Sequence, residues 1–495
     1  MRVERRIFRN TAVLAIGEIV GQLANFAFVV LLTRRFGIEI LGWYSFAMAL
    51  GAVLSPFVSL GGSTYLTREL AREPASASAL FIAFRPIQLS SGLLVWLVMA
   101  LTALAANVDT AVRLVIVIVG AYHVLLRMAA LHLAPSAARE RLVGTAVVGG
   151  GHRILVATLA ATAILLGFSA PVALLAMPVS AFLSLAAAWA YARRDLQAPS
   201  TVPCAVNRTD LIRASLPFLG TALLAAIYSR GGVLLLTGLR GEVATGLYAA
   251  ADRLLVPIYM VTGTFITATF PALTRFASEP GRMRELSKRC LRLILLVTIP
   301  LAALLAIFAP DVTAIIFGRR ADGAAPVLAM LAPLAVVRAV TSLWMGHCVA
   351  IGQEHRAALA KAWAVVAFFV AATFGIVALG PMGLAIAAVL AEVLLAWQLR
   401  RLLVGQEQSD PVWPAMRGVI VAAACAAVVA AWLPSLALPV RAMLVVGTMA
   451  LATALFGGVH GHDLRFLVAI LRVDGRPGAP RARTQPESDR ADYVD

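Results

Sequence analysis

Long apolar stretches separated by short polar connections recur along the chain as far as about residue 460. Fourteen of them reach the roughly 20 residues that a helix needs to cross the hydrocarbon core of a bilayer. They fall at 11–33, 42–64, 87–106, 111–134, 143–167, 170–192, 213–238, 245–272, 291–310, 324–351, 358–379, 382–399, 415–433 and 438–459. The pattern therefore predicts an all-α integral membrane protein with about 14 transmembrane helices.

Basic residues concentrate in alternate connections between these stretches. With the N-terminus in the cytoplasm, 30 of the 42 Lys and Arg residues fall in cytoplasmic segments, 7 in outside loops and 5 within the spans. Such a bias sets the orientation of membrane proteins. We expect both termini to be cytoplasmic, and the net charge of +17 becomes a topology signal that argues against nucleic-acid binding.

Composition supports lipid as the main solvent of this chain. Hydrophobic residues make up 61% of the 495 and charged residues only 14%, against about 25% charged in soluble domains. Outside loops have about ten residues or fewer, and the inside connections 193–212 and 273–290 are too short for a domain. Any function therefore has to be carried by the helical bundle.

The chain contains an internal repeat with an offset of 204 residues. LLTRRFGIEILGWY at 31–44 aligns with LLTGLRGEVATGLY at 235–248, with six of fourteen positions identical. Each stretch contains the end of an odd-numbered span, span 1 or span 7, and the start of the next one. Span 7 therefore crosses the membrane in the same direction as span 1. The repeat predicts two parallel six-helix lobes followed by a terminal helix pair. The expected boundaries are 1–209 and 210–405 for the lobes, 406–462 for spans 13 and 14, and 463–495 for a largely disordered cytoplasmic tail.

Several motifs in this order resemble the polysaccharide-repeat flippases (Wzx type) of the multidrug/oligosaccharidyl-lipid/polysaccharide exporter superfamily. They are the polar patch at 17–22, LLTRRFGIEILGWYSFA, GLYAAADRLLVPI before FPALTRFA, IIFGRRADGAAPVL, and GPMGLAIAAVLAE. The resemblance implies transport of polyprenyl-pyrophosphate-linked oligosaccharides across the bacterial cytoplasmic membrane by alternating access, with a polysaccharide polymerase as a partner. The chain departs from the family in lacking an acidic residue beside Arg230.

Ionisable residues within the spans are the candidate functional groups, because each costs at least about 2.5 kcal/mol at mid-bilayer unless it faces a partner or water. They are Glu18, Arg127, Arg153, Arg230, Asp252, Arg253, Arg338 and Glu392. The excess of arginine suits an anionic headgroup, since guanidinium binds phosphate oxygens in bidentate fashion. We expect substrate binding by Arg127, Arg230, Arg253 and Arg338, and ion coupling by Glu18, Asp252 and Glu392.

Two of these residues are expected at one depth. Arg230 and Asp252 lie about 12–13 Å from the same outer turn, on consecutive antiparallel spans. We therefore expect Asp252 to bridge to Arg230, with Arg253 pointing elsewhere. The alternative is a purely structural ion pair, although the positions 204 residues earlier are all apolar. For Arg127, the alternative to substrate binding is that its side chain extends to the inner lipid headgroups. For Glu18 and Glu392, the alternative to ion coupling is a hydrogen bond to a neighbouring helix.

Catalytic motifs are absent from the sequence. Neither lysine follows the glycine of a nucleotide-binding GxxxxGK[ST] loop, and there is no HExxH motif. The four cysteines are too far apart for a zinc motif or a disulfide framework. We expect neither an enzyme nor a cofactor. The alternatives to an oligosaccharide flippase are an ion-coupled multidrug exporter, a lipid II flippase and, with less support from the short outside loops, a membrane polysaccharide polymerase.

Overall fold

A computed structural model describes residues 2–72, 77–106, 108–139, 142–195, 207–404, 412–433 and 436–455. Every regular element within these ranges is helical, because a helix satisfies its own backbone hydrogen bonds in lipid. The predicted tail at 463–495 and Cys204 lie outside the described residues.

Sixteen α-helices are present in the described ranges, and each of the fourteen predicted stretches overlaps at least one of them. They are α1 Arg2–Phe36, α2 Ile38–Ser59, α3 Gly62–Arg72, α4 Ala77–Ala105, α5 Thr110–Ala138, α6 Leu142–Leu165, α7 Ala170–Leu174, α8 Ala176–Asp195, α9 Arg208–Arg275, α10 Pro280–Ile307, α11 Ala309–Phe317, α12 Ala324–Ala350, α13 Glu354–Leu379, α14 Pro381–Val404, α15 Val412–Trp432 and α16 Leu438–Leu455. A single 3₁₀ turn, Arg319–Ala321, connects α11 to α12.

Eleven helices of the described chain are long and apolar enough to cross a membrane, and two shorter apolar helices follow at Arg417–Trp432 and Leu438–Thr453. One of the eleven, α9, is 68 residues long and contains two of the predicted stretches. The all-helical membrane architecture is confirmed. The number of about 14 crossings stays a prediction, since length and composition alone define these spans.

The long helix α9 folds back on itself at Gly241. This glycine has φ 79° and ψ −172°, outside the helical region. The hydroxyls of Thr237 and Thr245 are 2.9 Å apart, whereas eight residues of straight helix would separate them by about 12 Å. The two arms, 208–240 and 242–275, therefore lie side by side, and a side chain on one arm can face the same space as a side chain on the other.

The sequence overestimated one span. The predicted stretch 42–64 runs past Ser59, where α2 ends. Leu60 and Gly61 then adopt positive φ, at 46° and 78°, and the chain begins the separate helix α3 at Gly62. The apolar pattern continues across this turn because the residues on both sides of it are buried, so hydropathy alone shows no boundary.

Glycines of the internal repeat make a reciprocal contact between α2 and α9. A methyl group on Gly42 would overlap the carbonyl oxygen of Glu242, and one on Gly246 would overlap that of Ile38. Gly42 and Gly246 are equivalent positions of the repeat, and so are Ile38 and Glu242. The two contacts are therefore equivalent, with the glycine supplied once by each repeat. Small residues at this crossing let the two backbones touch. The reciprocity supports the repeat, and the lobe boundaries derived from it remain a proposal.

Two further helix crossings depend on backbone contact between glycines. A Cβ on Gly150 of α6 would lie 2.9 Å from the carbonyl oxygen of Gly17 on α1, and one on Gly375 of α13 would lie 2.8 Å from that of Gly383 on α14. Since apolar side chains gain little by leaving lipid for another apolar surface, such close packing is a main source of helix association in membranes.

We expect Gly42→Ala and Gly246→Ala each to destabilise the folded protein by about 1–3 kcal/mol, because each added methyl forces two backbones apart. Thermal unfolding of the detergent-solubilised protein measures this loss. Gly447→Ala is the matched control, since no atom lies within 4 Å of a Cβ at that glycine. Equal unfolding temperatures for the three variants would contradict the importance of the crossing.

Candidate functional site

A cavity of about 590 Å³ lies among α9, α12, α13 and α14 and concentrates charged and aromatic side chains. We call it the charged cavity. Its ionisable lining residues are Arg230, Asp252, Arg338, Lys361 and Glu392, together with the tyrosines Tyr228, Tyr248 and Tyr259. Three cationic groups thus face two carboxylates, and the formal charge of the lining is positive.

Glu392 of α14 is the centre of a hydrogen-bond network in this cavity. Glu392 is only 4% exposed. One carboxylate oxygen accepts a 2.5 Å hydrogen bond from the Thr341 hydroxyl, and the other accepts a 3.0 Å bond from the Tyr228 hydroxyl. The Nε of Arg338 lies 3.8 Å from the same carboxylate. The network joins α9, α12 and α14, and it compensates a charge that would otherwise be expensive to bury.

Two of the three cationic groups of the cavity lie against aromatic rings. The Arg338 guanidinium carbon lies 5.1 Å from the ring centre of Tyr259, and the Lys361 ammonium lies 5.2 Å from that of Tyr228. Cations are attracted to ring faces at such distances. The Arg338 side chain is still 38% exposed, so its guanidinium is both fixed in position and accessible to a molecule in the cavity.

Arg230 and Asp252 both line the charged cavity, one from each arm of α9. A shared cavity supports the common depth expected for them, which stays a prediction. The expected direct bridge is not formed: the described residues show no ion pair between Arg230 and Asp252, although the two lie within electrostatic range of each other. Arg253 is not part of the lining, which agrees with the divergence of about 100° between consecutive helical residues.

Besides Arg253, two more of the predicted site residues are absent from the lining of the charged cavity and belong to helices of the first repeat. Arg127 of α5 donates a 3.0 Å hydrogen bond from Nε to the hydroxyl of Ser55 on α2. Glu18 of α1 forms a 2.7 Å ion pair with Arg153 of α6 and accepts a 2.9 Å bond from Gln22. The bond from Glu18 to a neighbouring helix is the alternative that the sequence left open. Roles of Arg127 in substrate binding and of Glu18 in ion coupling stay predictions.

Sequence analysis missed the polar residues that surround Glu392. Tyr228 and Thr341 are common residue types in membrane helices, and only their contacts with the carboxylate distinguish them. Lys361 offered a clearer signal, because it is one of only two lysines in the chain and lies within the apolar stretch 358–379.

We expect Glu392→Gln to lower the free energy of unfolding by about 1–3 kcal/mol, since the amide keeps a hydrogen bond but leaves the guanidinium of Arg338 without its carboxylate. The double variant Arg338→Gln, Glu392→Gln should lose less than the sum of the two single variants, because neither charge is then left alone. Thermal unfolding of the four proteins gives the coupling. Strict additivity would show that the two groups do not interact.

Comparison with known proteins agrees with this architecture. A family model for polysaccharide biosynthesis proteins matches residues 7–277, more than half of the chain. The lipid II flippase MurJ in an inward closed conformation superposes with a TM-score of 0.71 at 12% identity, over 91% of this chain and 99% of that one. An inward-facing multidrug resistance MATE family transporter of the MOP superfamily superposes with a TM-score of 0.51 at 16% identity, over 79% and 96% of the two chains.

No curated protein sequence matches this chain. The identities to the solved structures are low, so these likenesses establish the fold and leave the substrate open. The apolar helices, the likeness in fold to the solved membrane proteins and the family match over more than half of the sequence lead to one conclusion: the chain is a multi-pass membrane protein that belongs to the family of polysaccharide biosynthesis proteins.

Proposed function

We propose that the protein is a flippase that moves polyprenyl-pyrophosphate-linked oligosaccharide repeat units from the cytoplasmic to the outer leaflet for polysaccharide biosynthesis. The observation that carries the proposal is the charged cavity, which places accessible cationic groups inside a membrane bundle of the polysaccharide biosynthesis family. A charge so placed is expensive and marks a pathway for a polar substrate.

The cationic lining suits a pyrophosphate group. Arg230 and Arg338 are both cavity residues, and a guanidinium can donate two parallel hydrogen bonds to phosphate oxygens. Lys361 adds a third cation, held against the Tyr228 ring. Arg253 is not in the lining of the charged cavity, but it lies within electrostatic range of Arg230 and of Tyr44 on α2. In this mechanism Arg253 and Arg127 are the further candidates for binding the headgroup.

In alternating access, the reciprocal glycine contact between α2 and α9 would be the place where the bundle closes on one side of the membrane. Gly42 and Gly246 bring α2 and α9 into backbone contact near the Gly241 turn, so this end of the bundle is held shut. The lobes at 1–209 and 210–405 would rock about the substrate site, with spans 13 and 14 attached to the second lobe. Such movement of two repeats is the general scheme of transporters with this kind of symmetry.

An ion gradient or the membrane potential would supply the energy. Asp252 and Glu392 are the candidate coupling groups in the cavity, and Glu392 is the one whose bonds join three helices. A change in its protonation would alter all of these bonds together. Glu18 remains a candidate through its ion pair with Arg153, which joins α1 to α6.

A lipid II flippase is the second candidate. The superposition on MurJ extends over 91% of this chain, and lipid II is a lipid-linked sugar like the preferred substrate. An ion-coupled multidrug exporter is disfavoured, since organic cations would meet a lining with more cationic than acidic groups. Export assays with lipid II and with a lipid-linked polysaccharide repeat unit separate the first two candidates.

We propose that the protein lies in the bacterial cytoplasmic membrane with both termini in the cytoplasm. A polysaccharide polymerase on the outer side of this membrane would receive the transported product.

In a variant lacking native cysteines, Asp109→Cys should react with a membrane-impermeant thiol reagent added to intact cells, and Glu279→Cys should react only after the membrane is opened. The opposite labelling pattern would reverse the topology.

We expect Arg230→Ala and Arg253→Ala each to reduce export of the lipid-linked oligosaccharide by about tenfold or more, since the first removes charged hydrogen bonds to the pyrophosphate and the second removes a positive charge within electrostatic range of Arg230. Complementation of a strain without its own flippase, with immunoblots for expression, measures the effect. Arg282→Ala is the control, because that arginine is a 71% exposed partner of Glu279. Full export by both the Arg230→Ala and the Arg253→Ala variant at normal expression would refute the arginine mechanism.

A further inference from the structure

A second, smaller space lies beside the first arm of α9. Its volume is about 450 Å³, and its lining contains no charged or polar side chain. We call it the apolar groove. The residues that line it are Val53, Ile227, Gly231, Leu234, Leu235, Gly238, Leu239 and Phe369. Since Val53 belongs to α2 and Phe369 to α13, the groove lies along the seam where α2 meets the first arm of α9.

Two glycines and two phenylalanines separate the groove from the charged cavity. A Cβ on Gly231 would lie 2.6 Å from the Phe369 ring, and a Cβ on Gly232 would lie 2.8 Å from the Phe368 ring. The two rings are 5.2 Å apart at 70°. Phe368 lines the charged cavity and Phe369 lines the groove. The rings thus form a thin wall with an ionic space on one side and an apolar one on the other.

Arg230 stands at the edge that the two spaces share. It lines the charged cavity, whereas Leu234, four residues later, lines the groove. At 3.6 residues per turn these two side chains differ in direction by only about 40°. From Ile227 to Leu239 the groove residues extend about 18 Å along the helix, toward the Gly241 turn.

We propose that the apolar groove binds the isoprenoid chain of a polyprenyl-phosphate lipid whose phosphate contacts Arg230. This inference rests on the proposed function and specifies where the lipid part of the substrate lies. In such a lipid the phosphate is attached directly to the chain, so a phosphate at Arg230 places the first isoprene units at the start of the groove. The groove follows one face of one helix and therefore fits a single chain, whereas a phospholipid carries two.

Gly238 provides a way to fill the groove without disturbing the fold. It is exposed and lines the groove, and no atom lies within 4 Å of a Cβ built on it. Gly238→Leu therefore adds volume where the chain would lie. Gly447→Leu is the matched control: that glycine is also exposed with open space, and it belongs to α16, which packs mainly on α15.

The test uses full-length protein in phosphatidylethanolamine–phosphatidylglycerol vesicles and a photoreactive polyprenyl phosphate that carries no sugar. We expect the label within 227–239, reduced about tenfold by Gly238→Leu because the leucine side chain takes the space of the probe, and unchanged by Gly447→Leu. Arg230→Ala should also weaken the labelling, since it removes the phosphate contact.

Three results would overturn the proposal. They are labelling of 227–239 that Gly238→Leu leaves unchanged, labelling confined to other helices, and equally strong labelling of the groove by a photoreactive diacyl phospholipid. Failure of the proposed function gives a different result: the sugar-free probe labels the groove in the wild type, while the wild type exports no lipid-linked oligosaccharide. Conversely, if Gly238→Leu shows normal export and unchanged labelling, the groove does not bind the isoprenoid chain, whereas the proposed function is still supported.

Discussion

An ionised side chain inside a bilayer has to face a partner or an internal polar space, and this requirement organises the second half of the bundle. The five ionisable residues of the charged cavity come from α9, α12, α13 and α14. Each of these helices is otherwise apolar enough to span a membrane. Because the charges cannot face lipid, they fix which face of each helix points inward, and the remaining apolar faces are left for packing and for lipid.

The network at Glu392 shows how the bundle meets the cost of a buried charge. Two hydroxyl donors and one guanidinium, from two other helices, surround one carboxylate that is almost completely shielded. Removing any donor leaves part of the charge uncompensated, so the helices are held at one relative position. The aromatic rings under Arg338 and Lys361 act in the same way on the cationic side. Such contacts tie α9, α12, α13 and α14 together around the charged cavity.

Close backbone contacts supply the second constraint. At the Gly42 and Gly246 crossing, and again between α13 and α14, no side chain larger than hydrogen fits. These contacts hold the helices at distances that leave the charged cavity and the apolar groove open beside each other along the first arm of α9. One helix therefore presents an ionic surface and a lipid-compatible surface at the same depth, which matches the two parts of a lipid-linked sugar.

The sequence by itself determined the helical class, the apolar stretches and the internal repeat, because each depends on local composition or on self-similarity. The family resemblance from ordered motifs was also confirmed. Residue spacing along a helix is fixed, so the sequence also predicts Arg230 and Asp252 at one depth, and the structure brings both to one cavity. The direct bridge that the sequence predicts between them is not formed, because residue spacing does not determine how a side chain is directed across a hairpin.

Only the tertiary structure decided the partners of Glu392, the wall formed by Phe368 and Phe369, and the separation of Arg127 and Glu18 from the charged cavity. These features depend on contacts between residues 51 or more positions apart, or on which face of a helix its neighbours cover. Hydropathy records that a residue is apolar or charged, whereas packing determines what it touches.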